Sequence, residues 1–404
     1  MSRLYGLAGS SRRFGRRAGA AGGRQSVRPR ARRAFATGAF DDPVVNLRLD
    51  PQPKPEPGTI VFGRTMSDHM FRCDWSAEEG GWGTAQIVPH EPLAVSPACL
   101  GLHLGISCFE GMKAYRDPDG GTRLFRPDMN MKRFQASLQR IALPAIDEAA
   151  LIDGIRKLVR TDAGWVPEGD GFSLYLRPMC FASEAYLGVG VPQTATLIVA
   201  CAQAAPYFKG GMSGGIRLYA EPAAVRAWPG GVGSHKLAGN YAPTITSMRD
   251  ARAAPNSYDD VLWLFGKDRQ ITEVGSSNFV AVLAKDGGGA ELLTAPLSRG
   301  DILPGVTRDS VLHLARQMEA DGLSVSERTL TMSELAGAAG SGRLLEAFGC
   351  GTAAVISPVK SVSFDGCEHF CKESPGPWAQ RLYKELTDIQ YGRVDGPDGW
   401  SVRC

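Results

Sequence analysis

The chain has 404 residues, 43% hydrophobic and 22% charged, a composition that fits a folded globular protein of two or three domains. No run approaches the roughly 18 consecutive apolar residues that a membrane helix needs, so no membrane partner is expected. The formal charge of +3 misleads: residues 1–40 hold ten Arg and no Asp, Glu or Lys, and without those ten the balance is about −7, which argues against a nucleic-acid partner.

In chain order, residues 1–40 come first. Their Arg, Ser, Gly and Ala, with no acid, are the composition of an organelle transit peptide. Arg33-Ala34-Phe35-Ala36-Thr37 has the form of a mitochondrial processing site. The expected address is the mitochondrial matrix, with the chloroplast as alternative; a basic arm for RNA or membrane is the plainer reading. The Pro-rich stretch 51–57 is expected to be extended. Helices are expected over 128–143, with Phe134, Leu138 and Ile141 on one face, and around Leu151, Ile155, Leu158 and Val159. Strands are expected over 172–182 and 195–202. Residues 206–215 carry four glycines and mark a boundary between a small N-terminal α/β domain, 41–205, and a larger one, 216–404. Beyond it come a strand at 216–220, a hairpin at 261–265 and 271–274, strands at 279–284 and 291–295, and helices at 306–318 and 379–389. The fold class is mixed α/β with much antiparallel pairing. Nine cysteines are scattered without a CxxC pair. Cys367, His369 and Cys371 lack the second cluster that structural zinc requires, so no metal is expected and the thiols are expected free.

Chemistry concentrates around Lys236. Gly230-Gly231-Val232-Gly233-Ser234-His235-Lys236 imitates a P-loop, but Leu237 stands where Ser or Thr is required. A lysine among small residues has room for a planar group, and burial would make its amine neutral enough to form a Schiff base. A pyridoxal site also needs an acid for the ring nitrogen, a phosphate cup and a carboxylate-binding group. Glu273, between Thr272 and Val274-Gly275, suits the acid; it could equally be a solvated edge-strand residue. Pro304-Gly305-Val306-Thr307 could open a helix whose free N–H groups hold an anion. Phe348-Gly349-Cys350-Gly351-Thr352-Ala353 offers a Gly-rich turn with a hydroxyl. Either segment could also be an ordinary cap or turn.

These segments in register resemble the class IV aminotransferases, above all the branched-chain amino acid aminotransferases. The resemblance runs from about Phe62 to Gly392. It includes Cys108-Phe109-Glu110-Gly111-Met112-Lys113-Ala114-Tyr115, Leu124-Phe125-Arg126-Pro127, Ser173-Leu174-Tyr175-Leu176-Arg177-Pro178, the run from Arg226 to Tyr241, Glu273-Val274-Gly275, Pro304-Gly305-Val306, and Lys384-Glu385-Leu386-Thr387-Asp388-Ile389-Gln390-Tyr391-Gly392. It implies a fold type IV enzyme dependent on pyridoxal 5'-phosphate, with a pseudo-barrel in the larger domain. It implies that Lys236 carries the cofactor and moves the proton, that Glu273 pairs with the pyridine nitrogen, and that Tyr241 bonds the phenolic oxygen. Arg126, Val306, Thr307 and Thr352 would bind the phosphate. Ser276, where the family often has Thr, belongs to the same cofactor set. Phe109, Tyr175 and Tyr207 would line the side-chain pocket with Arg177, and the N–H groups of Thr352 and Ala353 would take the substrate carboxylate. Leu187 and Val189 match a loop that reaches across a homodimer. The implied reaction moves the amino group of L-leucine, L-isoleucine or L-valine to 2-oxoglutarate; a D-amino-acid aminotransferase or an aminodeoxychorismate lyase of the same fold is the alternative. Some mammalian relatives carry a redox CxxC after the Gly-Thr-Ala turn, whereas this chain has Ala353-Ala354-Val355-Ile356-Ser357-Pro358, so that switch is expected to be absent.

Overall fold

The computed structural model describes residues 41–206 and 211–404. The expected leader and Tyr207 lie outside the described residues. Among the described residues two sheets organise the chain. The first takes β1 (Val44–Val45), β2 (His69–Ser76), β3 (Gly81–Trp82), β4 (Gln86–Pro89), β5 (Ser107–Phe109), β6 (Met112–Arg116), β7 (Thr122–Phe125), β8 (Ser173–Ala182) and β9 (Thr194–Ala204). The second takes β10 (Ile216–Glu221), β11 (Asp260–Phe265), β12 (Gln270–Val274), β13 (Ser277–Ala284), β14 (Ala290–Thr294), β15 (Leu323–Glu327), β16 (Leu344–Gly351), β17 (Val355–Phe364) and β18 (Cys367–Phe370). The last strand, β19 (Ser401–Arg403), returns to the first sheet and pairs antiparallel with β7. The sequence reading placed no strand there, because a three-residue edge strand leaves almost no periodic signal.

The second sheet closes on itself. Its path runs β12-β11-β10-β17-β16-β13, and β13 pairs again with β12, making a six-stranded barrel. The closing hairpin sets Glu273 opposite Asn278 and Val274 opposite Ser277, leaving only Gly275 and Ser276 in the turn. Gly275 sits at φ 53°, and a Cβ there would run into the Asp260 carboxylate. A two-residue turn with positive φ is a glycine position.

The helices are α1 (Leu100–His103), α2 (Pro127–Arg140), α3 (Glu148–Thr161), α4 (Thr244–Ala253), α5 (Val306–Arg316), α6 (Met332–Gly340) and α7 (Pro377–Gln390). α2 starts on Pro127, where a missing N–H costs nothing, and ends before Ala142, which turns to φ 57°. α3 is capped by Asp147, whose side chain accepts from Ala150 N–H at 3.0 Å. Met131, Phe134 and Leu138 from α2 join Leu151, Ile155, Leu158 and Val159 from α3 in the core over the first sheet. Each of these large side chains contributes about 1.5–3 kcal/mol by leaving water. The packed seam holds α2 in place, and α2 in turn presents a second, polar stripe to the site.

Candidate active site

Lys236 ends the glycine-rich loop 230–235, and its backbone is held from both sides. Its N–H donates to Ser137 Oγ of α2 at 2.9 Å, and its carbonyl accepts from Phe109 N–H of β5 at 3.1 Å. Asn240 closes the loop by donating to Val232 O at 2.9 Å and His235 O at 2.8 Å. The side chain lines a cavity of about 580 Å³ whose walls come from both sheets.

That cavity gathers most of the expected residues. Phe109, Tyr175, Arg177, Lys236, Tyr241, Glu273, Ser276, Val306, Thr307, Thr352 and Ala353 all line it. Lys236 Nζ donates to Tyr241 Oη at 2.8 Å and lies 4.8 Å from the centre of the Phe109 ring. Burial lowers its pKa to about 8; the Arg133 cation lowers it further, and Glu110 works the other way. Burial also pushes the Tyr241 hydroxyl up to about 12.

Glu273 is 2% exposed, so it is no solvated edge residue. Oε1 accepts from Asn278 Nδ2 and Leu303 N–H, both at 3.0 Å. Oε2 stands 2.5 Å from Arg226 Nη1 as an ion pair, off hydrogen-bond geometry, and is left without a hydrogen bond. Burial raises the Glu273 pKa, and Arg226 opposes the rise. At the other wall α5 begins. Gly305 supplies no side-chain cap, and the first-turn N–H groups of Val306 and Thr307 have no acceptor within the helix. A Cβ at Gly305 would collide with Asn278 Oδ1, and Asn278 cannot swing aside while it serves Glu273 and Leu303 O.

Arg126 stands beside the start of α5. It does not line the cavity: its guanidinium donates to Ser310 Oγ at 2.8 Å, pairs with Asp309 at 2.7 Å and stacks on Trp400. At φ 48° it is the turn residue that launches α2, which sends the side chain toward α5. Arg133, inside α2, lines the cavity together with Arg177. It holds Glu110 with two hydrogen bonds, 2.7 and 2.8 Å, and donates to Pro304 O at 3.0 Å. Burial alone would raise the Glu110 pKa, but Arg133 more than offsets it and the net shift is downward. The sequence held a signal for this: Asn130, Arg133 and Ser137 fall on one helical stripe, a polar stripe on a buried helix. Leu187 and Val189 stand outside the cavity, 77% and 87% exposed.

Residues 107–362 match the family model for amino-transferase class IV. The chain belongs to the class IV aminotransferases, a family that implies pyridoxal phosphate. Its curated relatives define the branch. It is 45% identical over 350 residues to the cytosolic branched-chain-amino-acid aminotransferase of Saccharomyces cerevisiae, covering 85% of this chain and 92% of the relative. It is 45% identical over 372 residues to the mitochondrial enzyme of the same yeast, covering 90% and 93%. Among solved structures, the branched-chain amino acid aminotransferase from Escherichia coli superposes with a TM-score of 0.64 at 26% identity, over 83% of this chain and 98% of that one. The fold type IV architecture expected from the sequence is present, barrel included.

The residues fit the cofactor. A buried carboxylate whose second oxygen makes an ion pair but no hydrogen bond, an amine of lowered pKa and an uncapped helix N-terminus line one cavity. These are the complements of a pyridine nitrogen, an aldehyde and a phosphate.

Proposed function

We propose that the chain transfers amino groups from L-leucine, L-isoleucine and L-valine to 2-oxoglutarate with pyridoxal 5'-phosphate held by Lys236, Glu273, Tyr241, Ser276, Val306, Thr307 and Thr352. Arg126 belongs to the same phosphate set, supported by its contacts with Asp309 and Ser310 at the start of α5. The carrying observation is the buried amine of Lys236 facing Tyr241, with Glu273 and the α5 N-terminus in the walls of the same cavity. When bound, the cofactor supplies an aldehyde that captures the substrate nitrogen and a ring that accepts the electron pair released at Cα.

The chain's own groups do the rest. Near neutral pH part of Lys236 is neutral, so Nζ can take the Cα proton and keep it close at hand. Tyr241, still protonated, can donate as well as accept beside Nζ. Glu273, whose Oε2 is ion-paired with Arg226 and makes no hydrogen bond, supplies the carboxylate that a ring N–H needs as acceptor. Phe109 and Tyr175 form an apolar wall, which fits branched aliphatic side chains. One methylene is worth about 1–3 kcal/mol, so the three substrates compete on similar terms. Glutamate needs a polar group at the same wall, and Arg177 supplies it: the guanidinium lies over Phe109, donates to Tyr175 Oη at 3.1 Å, and keeps a buried Nε with no partner.

The same reading places Tyr207 in the side-chain pocket and the chain in a homodimer, to which the exposed Leu187 and Val189 contribute. It takes 41–205 and 216–404 as the two domains and residues 1–40 as a mitochondrial leader, in keeping with the Arg-rich composition and with relatives from both mitochondrion and cytosol. The test is transamination by purified protein with each of the three amino acids and with D-alanine, alongside the visible spectrum. Lys236→Ala is expected to lose both turnover and the visible band of bound cofactor. Normal turnover in that variant, or a preference for D-alanine, would refute the assignment.

A further inference from the structure

Lys113 is a buried lysine that the mechanism above does not use. It lies on β6 opposite Tyr175 of β8, is 5% exposed, and burial lowers its pKa to about 7. Its Nζ donates to Ala353 O at 2.7 Å. The bond crosses from the first sheet to the turn that joins β16 and β17. That turn spans 352–354, between the paired residues Gly351 and Val355. Val355 closes it at φ 64°, a left-handed conformation that is costly for a β-branched residue and usually given to glycine. A strained residue of this kind persists only where its surroundings over-determine it. Thr352 and Ala353, just before it, line the large cavity, and neither N–H is engaged by a described residue.

We infer that Lys113 is a positioning residue for substrate carboxylate recognition: by holding the Ala353 carbonyl it clamps the strained 352–355 turn so that the Thr352 and Ala353 N–H groups face into the cavity. The inference rests on reading those N–H groups as the carboxylate donors. Nζ is bonded to the turn and never touches substrate, so its effect falls on carboxylate affinity and not on proton transfer. Placing the clamp on the opposite sheet ties the turn to the wall that carries Tyr175.

The experiment uses holoenzyme and two leucine-sized competitors, 4-methylpentanoate and the neutral 4-methylpentan-1-ol. Wild type should prefer the acid. Lys113→Met should raise KM for leucine and for 2-oxoglutarate and weaken the acid by about tenfold, the loss of one charge-assisted hydrogen bond's worth of order. It should leave the alcohol, kcat and the visible band of bound cofactor close to wild type. Adding Val355→Gly removes the strain that the clamp opposes, and the double variant should recover most of the lost acid affinity. Retained acid preference in Lys113→Met, no recovery in the double variant, or failure of both variants to fold would each overturn the role of Lys113. A wild type with no preference for the acid would instead overturn the reading of the turn itself, and the clamp with it.

Discussion

Arg126 launches α2 and Arg133 lies inside it, and their side chains go to different places. Leu124-Phe125-Arg126-Pro127 is a conspicuous motif, whereas the mark on Arg133 is only the polar stripe it shares with Asn130 and Ser137. What separates them is a backbone angle: φ 48° at Arg126 turns its side chain to Asp309, Ser310 and Trp400. No sequence pattern encodes that angle for an arginine. Lys236 and Glu273 were legible because each sits in an unusual context, a lysine after glycines and an acid inside an apolar strand. Arg133→Ala is expected to leave Glu110 buried without its cation, a stability change of about 3–5 kcal/mol. Arg126→Ala should cost about 1–2 kcal/mol of stability and lower cofactor affinity as well. Cofactor titration with thermal melting of both variants checks this; unchanged cofactor affinity in Arg126→Ala would remove Arg126 from the phosphate set.

The elements were more legible than the residues they aim. The strands at 173–182, 194–204 and 277–284 and the helices at 148–161 and 377–390 carry periodic apolar patterns, and the expected spans lie close to the observed ones. The barrel was implied by the resemblance and not by periodicity, since pairing between β12 and β13 depends on a turn. That closure has a chemical effect, because it fixes Asn278 between Glu273 and the loop before α5. Gly305→Ala tests this coupling. Its new Cβ meets Asn278 Oδ1, so the N-terminus of α5 must shift away from the phosphate position. The expected result is an intact fold with cofactor affinity reduced by about tenfold, on the scale of one displaced anion contact; unchanged affinity would show that α5 does not hold the phosphate.

At the scale of the whole molecule the buried titratable groups set the pH of greatest stability. Without cofactor, Lys236 has its pKa lowered from 10.5 to about 8 and Lys113 to about 7. Above pH about 7 the unfolded chain therefore binds more protons than the folded one, and stability rises with pH. The thiols act in the opposite sense: burial raises Cys73, Cys350 and Cys371 from 9.0 to about 12, so above pH about 9 the folded chain holds more protons and stability falls. Thermal melting of the cofactor-free protein should show a maximum near pH 9, and a monotonic decline from pH 7 would contradict the lysine burial. The molecule also has a schedule. Strand β19 seats on β7, and Trp400 O receives the Arg126 N–H. Yet Arg123 of β7 and Ser401 of β19 lie 278 residues apart in sequence. At about 5–20 residues per second of synthesis, β7 waits tens of seconds on the ribosome with one edge unpaired. During that interval the nascent chain exposes a strand edge, and a chaperone or a neighbouring nascent chain meets that edge before its own partner does.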